Sequence, residues 1–274
     1  MPRVTGLFIY PVKALRGCAV TSAEFDALGF VGDRRFLIVD ETGKFITQRT
    51  VPRTARIDAT LSADKLTLSA EGAGQLTVPR AGQPNALVRS VSVWKSENLQ
   101  AEDCGESAAN WLSDFLGLKC NLVRIGRDFQ RPMLKSSARP GDSVSFADAF
   151  PFLIISEASL AALNDRLQEN DAEPVPMNRF RPSIVVDDCE AFAEDDWARV
   201  QIGDAIFRNG GPCARCIVTT TDQLTGERLG KEPLRTLATF RRDVADPSDV
   251  NFGINLIHET KAGRVQVGDA IVPL

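Results

Sequence analysis

Residues 199–206 read RVQIGDAI, and residues 264–271 read RVQVGDAI, a near-repeat with one conservative change. Each copy carries an apolar β-branched run, a Gly-Asp turn and the start of another apolar run, the pattern that a small barrel needs at its corners. The pair predicts that residues from about 145 to the end form a compact β-barrel. Upstream, FPFLIIS followed by EASLAALNDRLQEND reads as a buried strand running into a helix, with Ser156 placed to cap it. A capped helix start offers free backbone N–H groups to an anion, although most such starts bind no ligand.

The first hundred residues read mainly as strands. In RRFLIVDETGKFITQR an apolar run, a DETG turn and a second apolar run predict a hairpin. After VSVWKS, the residues Ala108, Trp111, Leu112 and Phe115 recur at i, i+3, i+4 and i+7 with Gly117 beyond them, which predicts an amphipathic helix with a glycine C-cap. Residues 127–142 are polar, contain two prolines and lack periodicity, so they read as a loop at the seam between two halves.

Composition narrows the function. The 274 residues are 43% apolar and 25% charged, enough to bury a core without staples. A net charge of −4 argues against a general nucleic-acid binder. The longest apolar run, FPFLII, is too short to span a membrane, and MPRVTGLFIYPVK has no signal-peptide pattern, so a soluble, cytoplasmic protein is expected. Six scattered cysteines (18, 104, 120, 189, 213 and 216) then read as reduced thiols. Local basic supply exists in Lys13 and Arg16, Arg34 and Arg35, and Arg179 and Arg181.

Two of the cysteines lie in GGPCARCIVTTTD, residues 210–222. A redox dithiol normally opens a helix, whereas IVTTT favours a strand, so this reading fails on context. A structural zinc site needs four ligands, and only Cys189 and His258 could complete one; His258 itself reads as a surface or hydrogen-bonded strand residue. A third reading makes one cysteine a thiolate ligand to a metal whose other ligands belong to an anionic cofactor, which calls for basic residues at the same place. The bland alternative is two small buried residues without a metal.

Several motifs taken together, IYPVKALRG, GDRRFLIVD, ITQR, FRPSIVV, AFAEDDWARVQIGD and PCARCIVTTTDQLTGERLGKEPLRTL, resemble the MOSC (molybdenum cofactor sulfurase C-terminal) family across nearly the whole chain. The nearest branch looks like the mitochondrial amidoxime reducing component and its bacterial counterparts. The resemblance implies a mainly β, α+β fold, with an N-terminal MOSC-associated β-barrel domain over 1–125 and a MOSC β-barrel with a few packed helices over 126–274.

It also implies a molybdenum cofactor, a phosphate-bearing pterin dithiolene, with Cys216 as both metal ligand and catalytic residue and Cys213 as a neighbour. Pyridoxal phosphate is not expected. By motif position, Lys13 and Arg34 resemble phosphate and pterin contacts, and Arg181 a pterin-binding arginine. Ser183 in FRPS belongs to the same cofactor set, as do Ser156 and Arg49, whose alternatives are capping and surface charge. Ala14 and Ser183 stand where relatives often carry serine and asparagine, so each removes or shortens a polar contact.

The activity implied is two-electron reduction of small N-hydroxylated substrates (amidoximes, hydroxylamines, N-hydroxylated bases), which breaks the N–O bond and releases water. Asp222 could relay protons or simply close a turn. No iron–sulfur domain or membrane anchor is read in the sequence, so a separate ferredoxin-, flavoprotein- or cytochrome-like donor is expected. The alternative function is a cofactor-binding or sulfur-carrier protein without turnover.

Overall fold

The computed structural model describes residues 1–228 and 230–274. Its largest sheet has eight strands in the order Ile271–Pro273, Arg199–Ile202, Ala205–Ala214, Asn251–His258, Phe152–Ser156, Ile184–Asp187, Arg3–Ile9 and Cys18–Val20. The neighbours are antiparallel except for Phe152–Ser156 beside Ile184–Asp187. The sheet curls back on itself, its Ile271–Pro273 edge meeting the start of Arg3–Ile9: Ile271 N–H donates to Pro2 O at 2.8 Å, and Val4 N–H to Asp269 O at 2.9 Å. The curled sheet surrounds a core that includes Leu7, Phe30, Phe152, Phe207, Ile254 and Leu256.

The near-repeat explains part of this closure. The first copy runs through Arg199–Ile202, turns at Gly203 (φ +57°) and enters the next strand; the second turns at Gly268 (φ +96°). Ile202 then pairs with Ile271, so the end of the second copy lies alongside the first. A β-carbon on Gly203 would sit 3.1 Å from the Asp269 carboxylate, and a side chain there would also meet a left-handed backbone.

The first strands of the chain belong to the same sheet. Val4 pairs with Val186 and Leu7 with Ile184, whereas Ser22–Asp26 is the middle strand of a separate three-stranded sheet between Gly263–Gln266 and Gly29–Phe30, with Phe25 paired to Gly263. The remaining strands of the first half form a four-stranded sheet and a three-stranded antiparallel sheet. Helix α1, Glu106–Leu116, buries Ala108, Leu112 and Phe115 and ends at Gly117 in the left-handed region, as its periodicity predicts. The DETG turn also forms: Asp40 Oδ1 accepts from the N–H groups of Thr42 and Lys44, and Ile46 N–H donates to Ile38 O at 2.8 Å. Helix α2, Glu157–Glu169, follows Phe152–Ser156, and the short α3 spans Leu234–Phe240.

One expectation about local structure fails. Ile217–Thr220 is a short 3₁₀ turn rather than a strand. The Thr219 and Thr220 hydroxyls donate to the carbonyls of Cys216 and Ile217 at 3.0 and 2.8 Å. Local side-chain bonds of this kind offer the backbone an alternative to a ladder and override β propensity. Among the described residues, no helix is long and apolar enough to cross a membrane.

Candidate functional site

Loops from both halves converge on one pocket, and its wall holds Lys13, Arg34, Arg49, Arg181, Arg215, Asp148, Trp94, Ser183, Cys213 and Cys216. Five of these side chains are cationic and one is a carboxylate, an excess of positive charge suited to an anionic occupant.

Lys13 is fixed by its backbone N–H, which donates to Phe36 O at 3.0 Å. Its side chain is buried and pairs with Asp148. Burial pulls the Lys13 ammonium down to about 8, against the opposing pull of Asp148. The Asp148 side chain is exposed, and Lys13 together with a 2.9 Å hydrogen bond from Trp94 Nε1 holds its carboxyl well below the usual carboxylate range. Asp148 therefore stays ionised at neutral pH.

Arg34 and Arg181 both sit in the left-handed region, with φ +46° and +56°. Sparsely populated backbone of this kind in non-glycine residues clusters at functional sites. Their guanidinium carbons lie 4.6 and 4.3 Å from the centre of the Tyr10 ring, whose hydroxyl donates to Pro182 O at 3.1 Å. Arg34 pairs with buried Asp33. Arg181 meets one side-chain acceptor among the described residues, Gln223 Oε1 at 3.4 Å. Burial lowers Arg181 to about 10 and raises the Tyr10 hydroxyl to about 12.

The cysteine loop is tied to the first half by Gln48 and Gln223, whose amides exchange two 3.0 Å hydrogen bonds. Arg49, next to Gln48, donates from Nε to Cys216 Sγ at 3.2 Å and lays its guanidinium 4.3 Å from the Trp94 ring centre. This contact sets a cationic donor directly against the Cys216 sulfur. Arg215 donates to Cys213 Sγ at 2.8 Å and to Phe180 O at 2.6 Å. Each cysteine thus has its own arginine.

The family model described as "MOSC N-terminal beta barrel domain" matches residues 1–119, and the "MOSC domain" model matches residues 141–272. The chain belongs to the MOSC family. It is 39% identical to "Mitochondrial amidoxime-reducing component 1" of Mus musculus, over 98% of this chain and 81% of that one. Against the Homo sapiens protein of the same name the identity is 36%, over 98% and 82%. Among solved structures, the YUAD protein from Bacillus subtilis aligns with 99% of this chain and 94% of that one at 12% identity and a TM-score of 0.41.

The MOSC pocket gathers most of the residues proposed from sequence. Lys13, Arg34, Arg49, Arg181, Ser183 and Cys216 line it together with Ala14, which is held at φ +72°. Ser156 does not join them. It is buried at the start of α2, where its hydroxyl accepts from Ser159 N–H at 3.0 Å and its own N–H donates to Glu194 Oε1 at 3.0 Å. Arg16, Arg35 and Arg179 are committed to ion pairs with Asp58, Asp26 and Asp222. Asp222 closes a turn, accepting from Leu224 and Thr225 N–H groups, and lies outside the pocket wall.

His258 is a buried core residue rather than a surface or hydrogen-bonded one, and neither ring nitrogen has a hydrogen-bond partner among the described residues. Among the described residues, no group of three or more His, Cys, Asp or Glu side chains is arranged to hold a metal by itself, which leaves the zinc reading without support. Sequence reasoning did not single out Tyr10, Trp94, Asp148 or Arg215. Of these, Arg215 and Tyr10 carried a usable signal, their places inside PCARC and IYPVKALRG.

The residues present fit a phosphate-bearing pterin with a soft metal. They offer one cysteine sulfur held by a cation, further cations on the same wall and, in Arg181, a guanidinium with most of its donors unspent.

Proposed function

We propose that this MOSC protein is a cytoplasmic, molybdenum-cofactor-dependent reductase of small N-hydroxylated compounds, supplied with electrons by a separate ferredoxin-, flavoprotein- or cytochrome-like protein. The observation that carries the reading is the Arg49–Cys216 contact on the wall of a pocket with surplus positive charge. The relatives' names, which specify amidoxime reduction, point the same way.

In this reading Cys216 Sγ supplies the protein's ligand to the metal, and Arg49 orients that sulfur. Lys13, Arg34 and Arg181 neutralise the phosphate and hold the flat pterin, for which planar guanidinium forks are well shaped. Ser183 places its hydroxyl on the same wall, 3.4 Å from Leu153 N. Asp148, ionised at neutral pH, orients Lys13 and Trp94 and is not itself a proton donor. When bound, the cofactor would supply the two-electron chemistry that cleaves an N–O bond.

The test is metal analysis of protein made in a host that synthesises the cofactor, for wild type, Cys216→Ala and Cys213→Ala. Molybdenum near one per chain that falls only with Cys216→Ala, with turnover of an amidoxime by the wild type, is the expected result. Zinc dependent on both cysteines overturns the cofactor assignment. A molybdenum-loaded wild type without turnover overturns the reductase assignment in favour of a carrier.

A further inference from the structure

A second chamber of about 630 Å³ opens beside the pocket and shares Arg49, Trp94, Asp148, Phe150 and Cys213 with it. Its outer wall carries Met133 and Leu134, the latter 63% exposed. Trp94 stands where the two chambers join.

The backbone of Trp94 is unusual for its residue type. Val93 pairs with Ser96, so Trp94 and Lys95 form the two-residue turn of a hairpin, and Trp94 takes φ +55° at its first position. Asparagine, aspartate and glycine are the residues suited to that conformation, and a bulky ring there is an outlier. Core packing does not account for it either, because Trp94 is 44% exposed.

What the position gains is a fixed indole. Asp148 accepts from Nε1 at 2.9 Å, the ring of Phe45 meets it edge-on at 4.9 Å, and Arg49 lies 4.3 Å from its centre. Arg49 in turn donates to Cys216 Sγ, so a single side chain separates the indole from the proposed metal ligand. An indole anchored at Nε1, with Arg49 over its ring and 44% of its surface still exposed, is a stacking platform for a flat partner. Strain retained at such a place is a reason to look for function there.

We infer that Trp94 determines substrate specificity: it is the platform on which the planar, conjugated part of an N-hydroxylated substrate stacks in the outer chamber, favouring aryl amidoximes and N-hydroxylated bases over hydroxylamine itself. The inference rests on the reductase reading above and adds a residue that discriminates among its substrates.

The experiment compares molybdenum-loaded wild type, Trp94→Asn and Trp94→Phe with benzamidoxime and with hydroxylamine, using reduced methyl viologen as electron source. Asparagine tolerates the left-handed turn, and phenylalanine keeps a ring while losing the bond to Asp148. Molybdenum content should be unchanged in both variants. KM for benzamidoxime should rise about tenfold in Trp94→Asn and roughly threefold in Trp94→Phe, the scale of a lost aromatic pair, while kcat/KM for hydroxylamine stays within about twofold. Equal losses for both substrates would show that Trp94 acts through Arg49, and unchanged kinetics would show that it does not touch substrate. Either result overturns the inference.

A fluorescence titration separates this inference from the reading beneath it. If the wild type reduces neither compound, the reductase reading fails. Saturable quenching of indole emission by benzamidoxime, absent in Trp94→Phe, still sustains the platform, and no quenching in the wild type overturns it.

Discussion

The start of α2 and the pocket around Cys216 both present donors to an anion, but only the first is filled from within. At α2 the Glu194 carboxylate, 1% exposed, accepts from Ser156 N–H at 3.0 Å and from the Ser159 hydroxyl at 2.8 Å. The helix N-terminus, a ready-made anion site in principle, has its anion built in. The pocket instead sets five cationic side chains against the carboxylate of Asp148. A donor set marks a ligand site only where the fold withholds the internal partner.

The comparison breaks most readily at Glu194 and Arg181. Glu194→Ala leaves the buried Ser156 N–H without its acceptor and the Ser159 hydroxyl with only Ser156 Oγ, besides emptying the space of the carboxylate, at about 1–3 kcal/mol for each lost bond. The expected loss is roughly 3–5 kcal/mol in urea unfolding, with the molybdenum content of the folded fraction unchanged. Arg181→Gln should do the reverse: molybdenum content falls several-fold while the stability of the cofactor-free protein moves by no more than about 1 kcal/mol. If Glu194→Ala empties the site, or Arg181→Gln unfolds the chain, the two regions do not differ as described.

His258 supplies a control, since it is a buried polar group without a ring hydrogen bond among the described residues and lines neither the pocket nor the chamber beside it. Its ring packs 5.3 Å from that of Phe152 and 5.8 Å from that of Phe25. Burial, then the charge of Lys261, pushes the imidazole down to about 4, with Asp142 and Asp26 pulling weakly the other way. Above pH 6.5 the ring is neutral in both states. As pH falls from about 6.5 towards 4, the unfolded chain takes up a proton that the folded chain refuses, so stability is lost across that window. The full loss approaches about 3 kcal/mol, at no more than roughly 1.4 kcal/mol per pH unit. Asp142, held near 2 against the opposing effect of burial by Lys261, Arg139 and Arg208, contributes only at lower pH. Urea unfolding at pH 7, 6 and 5 should show the slope in wild type and not in His258→Phe. A slope that survives the substitution assigns it to other groups.

These contrasts also show what was legible in the sequence. The near-repeat, the strand before Ser156 and the helix ending at Gly117 are local patterns, and each forms where its period and turn residues place it. The pocket wall was legible through motifs, because Lys13, Arg34, Arg181 and Cys216, which line it, sit in short stretches with their own signatures. Ser156 misled because a cap and an anion site share one pattern, and the difference lies in Glu194, 38 residues away. Asp148 and Trp94 lie in segments without such a signature and become visible only when two loops 54 residues apart meet. The 3₁₀ turn after Cys216 was hidden because three threonine hydroxyls can serve either a strand face or their own backbone.

The smallest expected effect tests the pocket's surplus charge one residue at a time. Lys13 is the wall cation that burial brings to about 8, so mild alkali can remove its charge while Arg34, whose guanidinium is raised by Asp33 despite burial, and Arg181 stay protonated. Sulfate keeps its charge over this range and serves as the probe in cofactor-free protein. If Lys13 contributes to the anion site, sulfate affinity should fall about tenfold between pH 7 and pH 9 and become flat in Lys13→Arg. Folding responds to the same proton with the opposite sign. Between about 8 and 10.5 the unfolded chain holds a proton on Lys13 that the folded chain has released, so this residue's contribution to stability rises as pH rises. A fall in sulfate binding with no loss of stability therefore reports the site and not alkaline unfolding, and a fall that persists in Lys13→Arg removes Lys13 from the anion site.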